Sequence, residues 1–177
     1  YYVAPFLVTG VYTYRILARD NGTQISINGA APIAMTSGQF LEYNSVSGAV
    51  QVVSNNPVQV IQLMQGDACS LDGDPTMLVL NANDQKIKEV TFSTVASLVI
   101  TTHFLNLIVE TADIGTVLLD NVAIPPGSFT LFPTNPMNAY AQVPVSQGSH
   151  NIYAANGFTG YSYGMGSAES YAYSVGS

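Results

Sequence analysis

The chain has 177 residues, enough to bury a substantial core in one or two small domains. Charged residues make up only 8% of it, against about 25% in an ordinary globular domain, so Ser, Thr, Asn, Gln and Gly supply most of its polarity. A net charge of −7 with four Lys and Arg argues against nucleic acid and anionic membrane surfaces, which demand a basic face.

The sequence opens on Tyr1-Tyr2-Val3 without a signal peptide, as expected of a mature piece of a longer secreted protein. Tyr12, Tyr14, Ile16 and Ala18 alternate with Thr13, Arg15, Leu17 and Arg19. That period of two predicts a half-buried strand. Asp20-Asn21-Gly22 follows, and then Thr23, Ile25 and Ile27 alternate with Gln24, Ser26 and Asn28. Asn-Gly between alternating runs predicts a hairpin with a type I′ turn. Asn28-Gly29 and Ser37-Gly38 mark the next turns, and residues 40–43 read as a strand. Residues 49–53 and 58–64 are expected to pair as a hairpin across Ser54-Asn55-Asn56-Pro57.

Residues 65–75 form a loop rich in Gly and Asp, 76–80 a strand, 81–85 a turn and 86–92 an extended run. A long β-branched strand is predicted over 98–111, with His103, Leu105, Leu107 and Val109 on one face. Short strands are expected at 117–119, 129–132, 141–145 and 152–155. The tail alternates Gly, Ser and Ala with Phe158, Tyr161, Tyr163, Tyr171 and Tyr173. No helical stripe and no apolar run near the roughly 20 residues of a membrane helix is present, so membrane insertion is not expected. Short strands with turn signals every 8–12 residues predict an all-β sandwich or barrel.

The chain repeats itself. Gly22-Thr23, Asn28 and Gly38-Gln39-Phe40 find partners in Gly115-Thr116, Asn121 and Gly127-Ser128-Phe129. Tyr12, Tyr14 and Ile16 match Leu105, Leu107 and Val109, and residues 53–58 match 145–150. The expected organisation is an internally duplicated β-sandwich with pseudo-symmetric halves of short antiparallel strands, residues 1–92 and 93–177. Whether the halves are separate sandwiches or exchange strands stays open at this level.

Taken in order, these landmarks resemble a known family. They include Tyr12 to Ala18, Gly22-Thr23, Ser54 to Val58, Cys69, Gly73-Asp-Pro-Thr-Met77, Thr102 to Asn106, Gly148-Ser-His150 and the closing Tyr163-Gly-Met-Gly-Ser-Ala-Glu-Ser-Tyr171. Together they are similar to the IgGFc-binding protein N-terminal domain family over essentially the whole chain. The resemblance implies a non-catalytic extracellular or cell-surface module for adhesion or recognition, holding a protein or glycan of another cell. The neutral composition fits a bacterial adhesin better than a disulfide-rich mucus domain. The alternative is a structural spacer or assembly domain, a homo-oligomer such as a trimer at a fibre tip.

Chemistry is sparse. Gly160-Tyr-Ser162-Tyr-Gly164 matches G-x-S-x-G, but no helix follows and both His103 and His150 precede Ser162. A nucleophile elbow needs a strand-to-helix turn with its histidine later in the chain, so no enzyme is expected. Asp67, Asp72 and Asp74 are weak calcium candidates, since oxygen ligands at such spacing suit Ca²⁺. No bidentate Glu completes them and Asp-Gly-Asp-Pro is ordinary turn chemistry, so the expectation is no cofactor. Cys69 cannot form an internal disulfide, and neither His has a metal-ligand neighbour. Tyr161, Tyr163, Tyr171 and Tyr173 are the candidate ligand-binding residues, because Tyr is large, rigid and amphipathic. The competing expectation is that they fill the core.

Overall fold

A computed structural model of the chain describes residues 1–66 and 73–176. The fold is all-β. The first half holds β1 (Tyr2–Val3), β2 (Tyr12–Ala18), β3 (Thr23–Ile27), β4 (Ile33–Met35), β5 (Phe40–Val46), β6 (Val50–Ser54), β7 (Val58–Met64) and β8 (Thr76–Val79). The second holds β9 (Ile87–Ser93), β10 (Ile100–Glu110), β11 (Leu118–Leu119), β12 (Val122–Ala123), β13 (Phe129–Phe132), β14 (Asn135–Val145), β15 (Ser149–Gly166) and β16 (Glu169–Val175).

The first half is built from two four-stranded sheets, β1-β6-β3-β4 and β5-β2-β7-β8. In the second half one strand serves two sheets. Residues 149–153 of β15 pair with β9 and β11, whereas residues 159–166 pair with β10 and residues 160–166 also with β16. The change of partner falls at a register shift between Tyr153 and Phe158. Gly157 sits there at φ +94°, with Ile87 O only 3.1 Å from where a Cβ would stand, so both backbone and space favour glycine.

The pairing orders of the halves run in parallel. β1-β6-β3-β4 stands beside β9-β15-β11-β12, and β5-β2-β7-β8 beside β14-β10-β15-β16, with β13 added outside β14 and without a counterpart in the first half. Among the described residues no strand of one half pairs with a strand of the other. The division expected after residue 92 falls inside β9, whose partner is β15, so β9 belongs with the second half.

Two expected hairpins are corrected. β2 and β3 lie in different sheets, so Asp20-Asn21-Gly22 carries the chain across the sandwich rather than back along it. Only Gly22 has positive φ there, whereas a type I′ turn needs two such residues. The Asn21 amide oxygen accepts from the Ser37 N–H at 2.9 Å, and the Thr23 hydroxyl donates to Asp20 O at 2.7 Å. Ser54 to Pro57 likewise passes from β6 in one sheet to β7 in the other. The two-residue turns with paired positive φ are Asn28-Gly29, joining β3 to β4, and Asp120-Asn121, joining β11 to β12. The short strands expected at 141–145 and 152–155 are parts of the longer β14 and β15.

Two apolar cores result. One gathers Tyr12, Tyr14, Ile16, Ile25, Val52 and Val60. The other gathers Leu105, Leu107, Val109, Val117, Ile152 and Phe158. The first core also contains Phe104, Ile108, Tyr161 and Tyr163 from the second half. β10 is therefore buried continuously from His103 to Val109, its odd apolar positions facing one core and its even ones the other. Each fully buried apolar side chain of this size contributes roughly 1.5–3 kcal/mol, so the joint between halves is part of the fold's stability.

Candidate binding surfaces

The four candidate tyrosines divide. Tyr161 and Tyr163 are buried, so the exposed platform expected of them is corrected. The reason is that residues 159–166 of β15 lie between two cores. Tyr163 stacks on Phe104 with ring centroids 5.2 Å apart and meets Phe6 edge-on at 4.9 Å. Its hydroxyl donates to the Asn106 amide oxygen at 3.1 Å and accepts from the Leu7 N–H at 2.9 Å. Tyr161 OH accepts from the Asn81 N–H at 3.0 Å, and burial pushes its pKa up to about 12. Tyr171 and Tyr173 are half-buried on β16 and stack on each other at 6.0 Å. The Tyr171 hydroxyl meets His103 Nδ1 at 3.0 Å, and that of Tyr173 donates to Ser93 O, so ring edges are what they offer outward.

The segment between β1 and β2 is held between the halves. Pro5 O accepts from Asn106 Nδ2 at 2.9 Å and from Gln142 Nε2 at 2.7 Å, and Ala4 O accepts from Gln62 Nε2 at 2.8 Å. Phe6 is buried beneath Tyr163. Tyr2 OH receives Asn135 Nδ2 and Asn138 Nδ2, each at 2.8 Å. The joint is thus an apolar contact in which the Ala4 and Pro5 carbonyls find amide donors, as burial requires.

Both histidines have structural partners. Burial lowers the pKa of His103, helped by His150, and favours its neutral form beside Tyr171. His150 presents Nδ1 to Asp120 Oδ2 at 2.7 Å and Nε2 to Ser146 O at 2.9 Å. Burial opposes its charge, but the carboxylate and the carbonyl together outweigh it and raise its pKa. Ser162 is buried in the middle of β15 with strand on both sides, not at a strand-to-helix turn. Of the calcium candidates, Asp67 and Asp72 lie outside the described residues, as does Cys69, and Asp74 is exposed. Among the described residues no group of three or more His, Cys, Asp and Glu is placed to hold a metal.

The sequence reading missed an open apolar surface. It is the outward face of β5-β2-β7-β8. The pairs Leu17↔Phe40, Leu17↔Gln59, Arg15↔Glu42, Arg15↔Ile61, Ile61↔Val79 and Leu63↔Met77 put these side chains in rows across four strands. Phe40 is 61% exposed and Met77 57%, with Leu17 and Val79 also exposed. Arg15, Leu17, Phe40, Gln59 and Ile61 line a shallow hollow of about 190 Å³. Arg15 is ion-paired with Glu42 and lies over the Phe40 ring, so the charge at the centre is already balanced. Exposed apolar side chains gathered on one sheet face make it a candidate docking surface. The signal was present in Leu17, Ile61, Leu63, Met77 and Val79, apolar residues at outward strand positions.

The model of a family described as IgGFc binding protein matches residues 1–164 of the 177. No curated protein and no solved structure matches the chain.

Proposed function

Because the chain belongs to the IgGFc binding protein family, we propose that it is a non-catalytic extracellular module that holds a protein partner on the open face of β5-β2-β7-β8. The observation that carries this reading is the set of exposed apolar side chains, Leu17, Phe40, Met77 and Val79, brought together across one sheet face. Aromatic and Met side chains with a paired Arg are the composition of an interface centre. As an adhesion module the partner is a protein or glycan on another cell, and Tyr171 and Tyr173 add ring edges near the rim of β16. As an assembly unit the partner is another β-sandwich of the same kind. The parallel pairing orders of the halves favour this second reading, and they support a duplicated unit divided ahead of β9.

The domain displayed at high valency should be tested against immunoglobulin Fc, a glycan array and the domain itself. Retention of at least one of these by the native domain, lost with Phe40→Asp, is expected. If nothing is retained, or if Phe40→Asp retains everything the native domain does, the open face is not a binding surface.

A further inference from the structure

Among the described residues three seven-residue strands have a partner on one side only, β5, β9 and β16. Such an edge accepts another strand unless it is blunted or covered. β9 carries Lys88 and Glu89 in solvent, and β16 lies against β8. β5 has neither protection. It holds no Lys and no Pro, and its one charge, Glu42, is ion-paired with Arg15.

The backbone of β5 is set for pairing. Ala18 N–H donates to Gln39 O on the β5 side, whereas Arg19 N–H donates to Pro57 O on the β7 side. Backbone groups alternate in direction along a strand. Ile16 and Tyr14 therefore also serve β5, and they take up their partners Leu41 and Tyr43. Phe40 and Glu42 alternate with those partners and turn N–H and C=O to the open edge. The regular run ends at Ser45, at φ +57°, where the register with β2 shifts.

In the second half the corresponding edge is filled. β14 pairs with β10 as β5 pairs with β2, and β13 lies along its outer side, with Leu131, Thr130 and Phe129 opposite Ala139, Tyr140 and Ala141. Ala139, Tyr140 and Ala141 pair with Val109, Ile108 and Leu107, as Leu41, Glu42 and Tyr43 pair with Ile16, Arg15 and Tyr14. The stretch that β13 covers is thus the stretch that β5 leaves open. Space beside the edge fits a strand as well. The mouth between β4 and β5 holds a hollow of about 440 Å³ lined by Ala34, Met35, Gly38, Gln39, Phe40 and Leu41. Side chains alternate across a strand. A residue opposite Leu41 would point into this hollow, and those opposite Phe40 and Glu42 would lie on the outer face beside the Phe40 ring.

We infer that the edge of β5 takes an extended peptide segment of a protein partner, added antiparallel as a fifth strand, with one apolar side chain in the mouth between β4 and β5. This rests on the reading that the module holds a protein, and it supplies the mode. Main-chain pairing gives affinity and the hollow gives selectivity.

A phage-displayed library of random peptides of about eight residues, long enough for one strand, tests this when panned against the domain. Enriched peptides should carry a central apolar residue and no Pro beside it. N-methylation of one selected peptide, residue by residue, should weaken binding at least about tenfold at alternate positions and by less than about twofold at those between. Glu42→Pro removes a backbone donor from the outward edge, where a strand accepts proline, and should weaken binding by a similar factor. Glu42→Gln removes only the charge and should keep it. No enrichment over panning without the domain, N-methyl losses without the period of two, or binding indifferent to Glu42→Pro each overturn strand addition. The N-methyl series needs no change in the domain, so it decides the matter if Glu42→Pro lowers the melting temperature. If strand addition fails while Phe40→Asp still abolishes retention of immunoglobulin Fc, the open face binds by other means and only the mode is wrong.

Discussion

Each half presents a sheet face in a different condition. On β10 and β15 that face is covered, and Phe104, Ile108, Tyr161 and Tyr163 are buried. On β5, β2 and β7 it is open, and Leu17 and Phe40 are exposed. The difference lies in how polar groups are used. The covered face supplies Asn106, Gln142 and the Tyr163 hydroxyl to satisfy the backbone of the link laid over it. The open face has Arg15 and Glu42 satisfying each other. The Arg15–Glu42 pair lowers the cost of taking water off that face, whereas Gln59 would still need a partner there.

The largest expected effect breaks this comparison directly. Tyr163→Ala removes an aromatic ring that touches both halves, and large-to-small changes of this kind cost about 3–5 kcal/mol. Phe40→Ala at the open face should move stability by no more than about 0.5 kcal/mol in either direction. Denaturant melts of dilute protein measure both. Equal losses would mean that the joint contributes no more than a surface ring does.

A smaller effect sharpens it at the hairpin tips. Asn28 N–H donates to Gln51 O at 2.9 Å, and Asn28 Oδ1 accepts from the Gln51 N–H at 2.8 Å. Asp120 does the same with Asn151, both bonds at 2.8 Å. Each pair locks a two-residue turn to the neighbouring strand. Asn28→Ala should cost about 1 kcal/mol, the usual net value of such a bond. Asp120→Ala should cost more, since it also strips His150 of its carboxylate. A larger loss from Asn28→Ala in thermal melts would show that the His150 contact adds nothing.

How much of this was legible follows from periodicity. β7 and the later part of β2 alternate buried with wetter positions because each has one wet face, and their positions were readable. The tail was harder. Tyr161 and Tyr163 share strand parity, but β15 is buried on both sides there, so parity alone gave no sign of which face was wet. The turns at Asn21-Gly22 and Ser54 to Pro57 were readable as reversals. Crossing to the opposite sheet and returning along the same one both need a reversal, and only the partner strands distinguish them. Asn28 was matched to Asn121 in the sequence, whereas the hydrogen bonds match it to Asp120, one residue earlier. Letter identity misled there, because a carboxylate oxygen and an amide oxygen accept the same bond.

The finest distinction between the tips is titration. The Asn28 tip holds no ionisable group in its lock, whereas Asp120 is joined to His150. The raised pKa of His150 means that its contribution is complete below the unfolded imidazole value, near 6.5, and is lost as pH rises through the folded value. The pKa of Asp120 is lowered by its hydrogen bond to His150, so its share is present at neutral pH and is lost only as pH falls through that lowered value. His103 works in the opposite sense, because burial lowers its pKa and its protonation in acid disfavours the folded state. The raw pH profile therefore sums two opposed histidines. The difference between native protein and His150→Gln reads His150 together with the release of its downward push on His103. From about pH 5.5 to 8.5, a window spanning the ordinary imidazole value, the advantage of the native chain in melting temperature over His150→Gln should shrink steadily. Asn28→Ala should keep the full native slope, since it leaves the Asp120 lock in place. A native-minus-variant difference that is flat or grows with pH would place the His150 charge outside the folded state's stability, and the two tips would then be held in the same way.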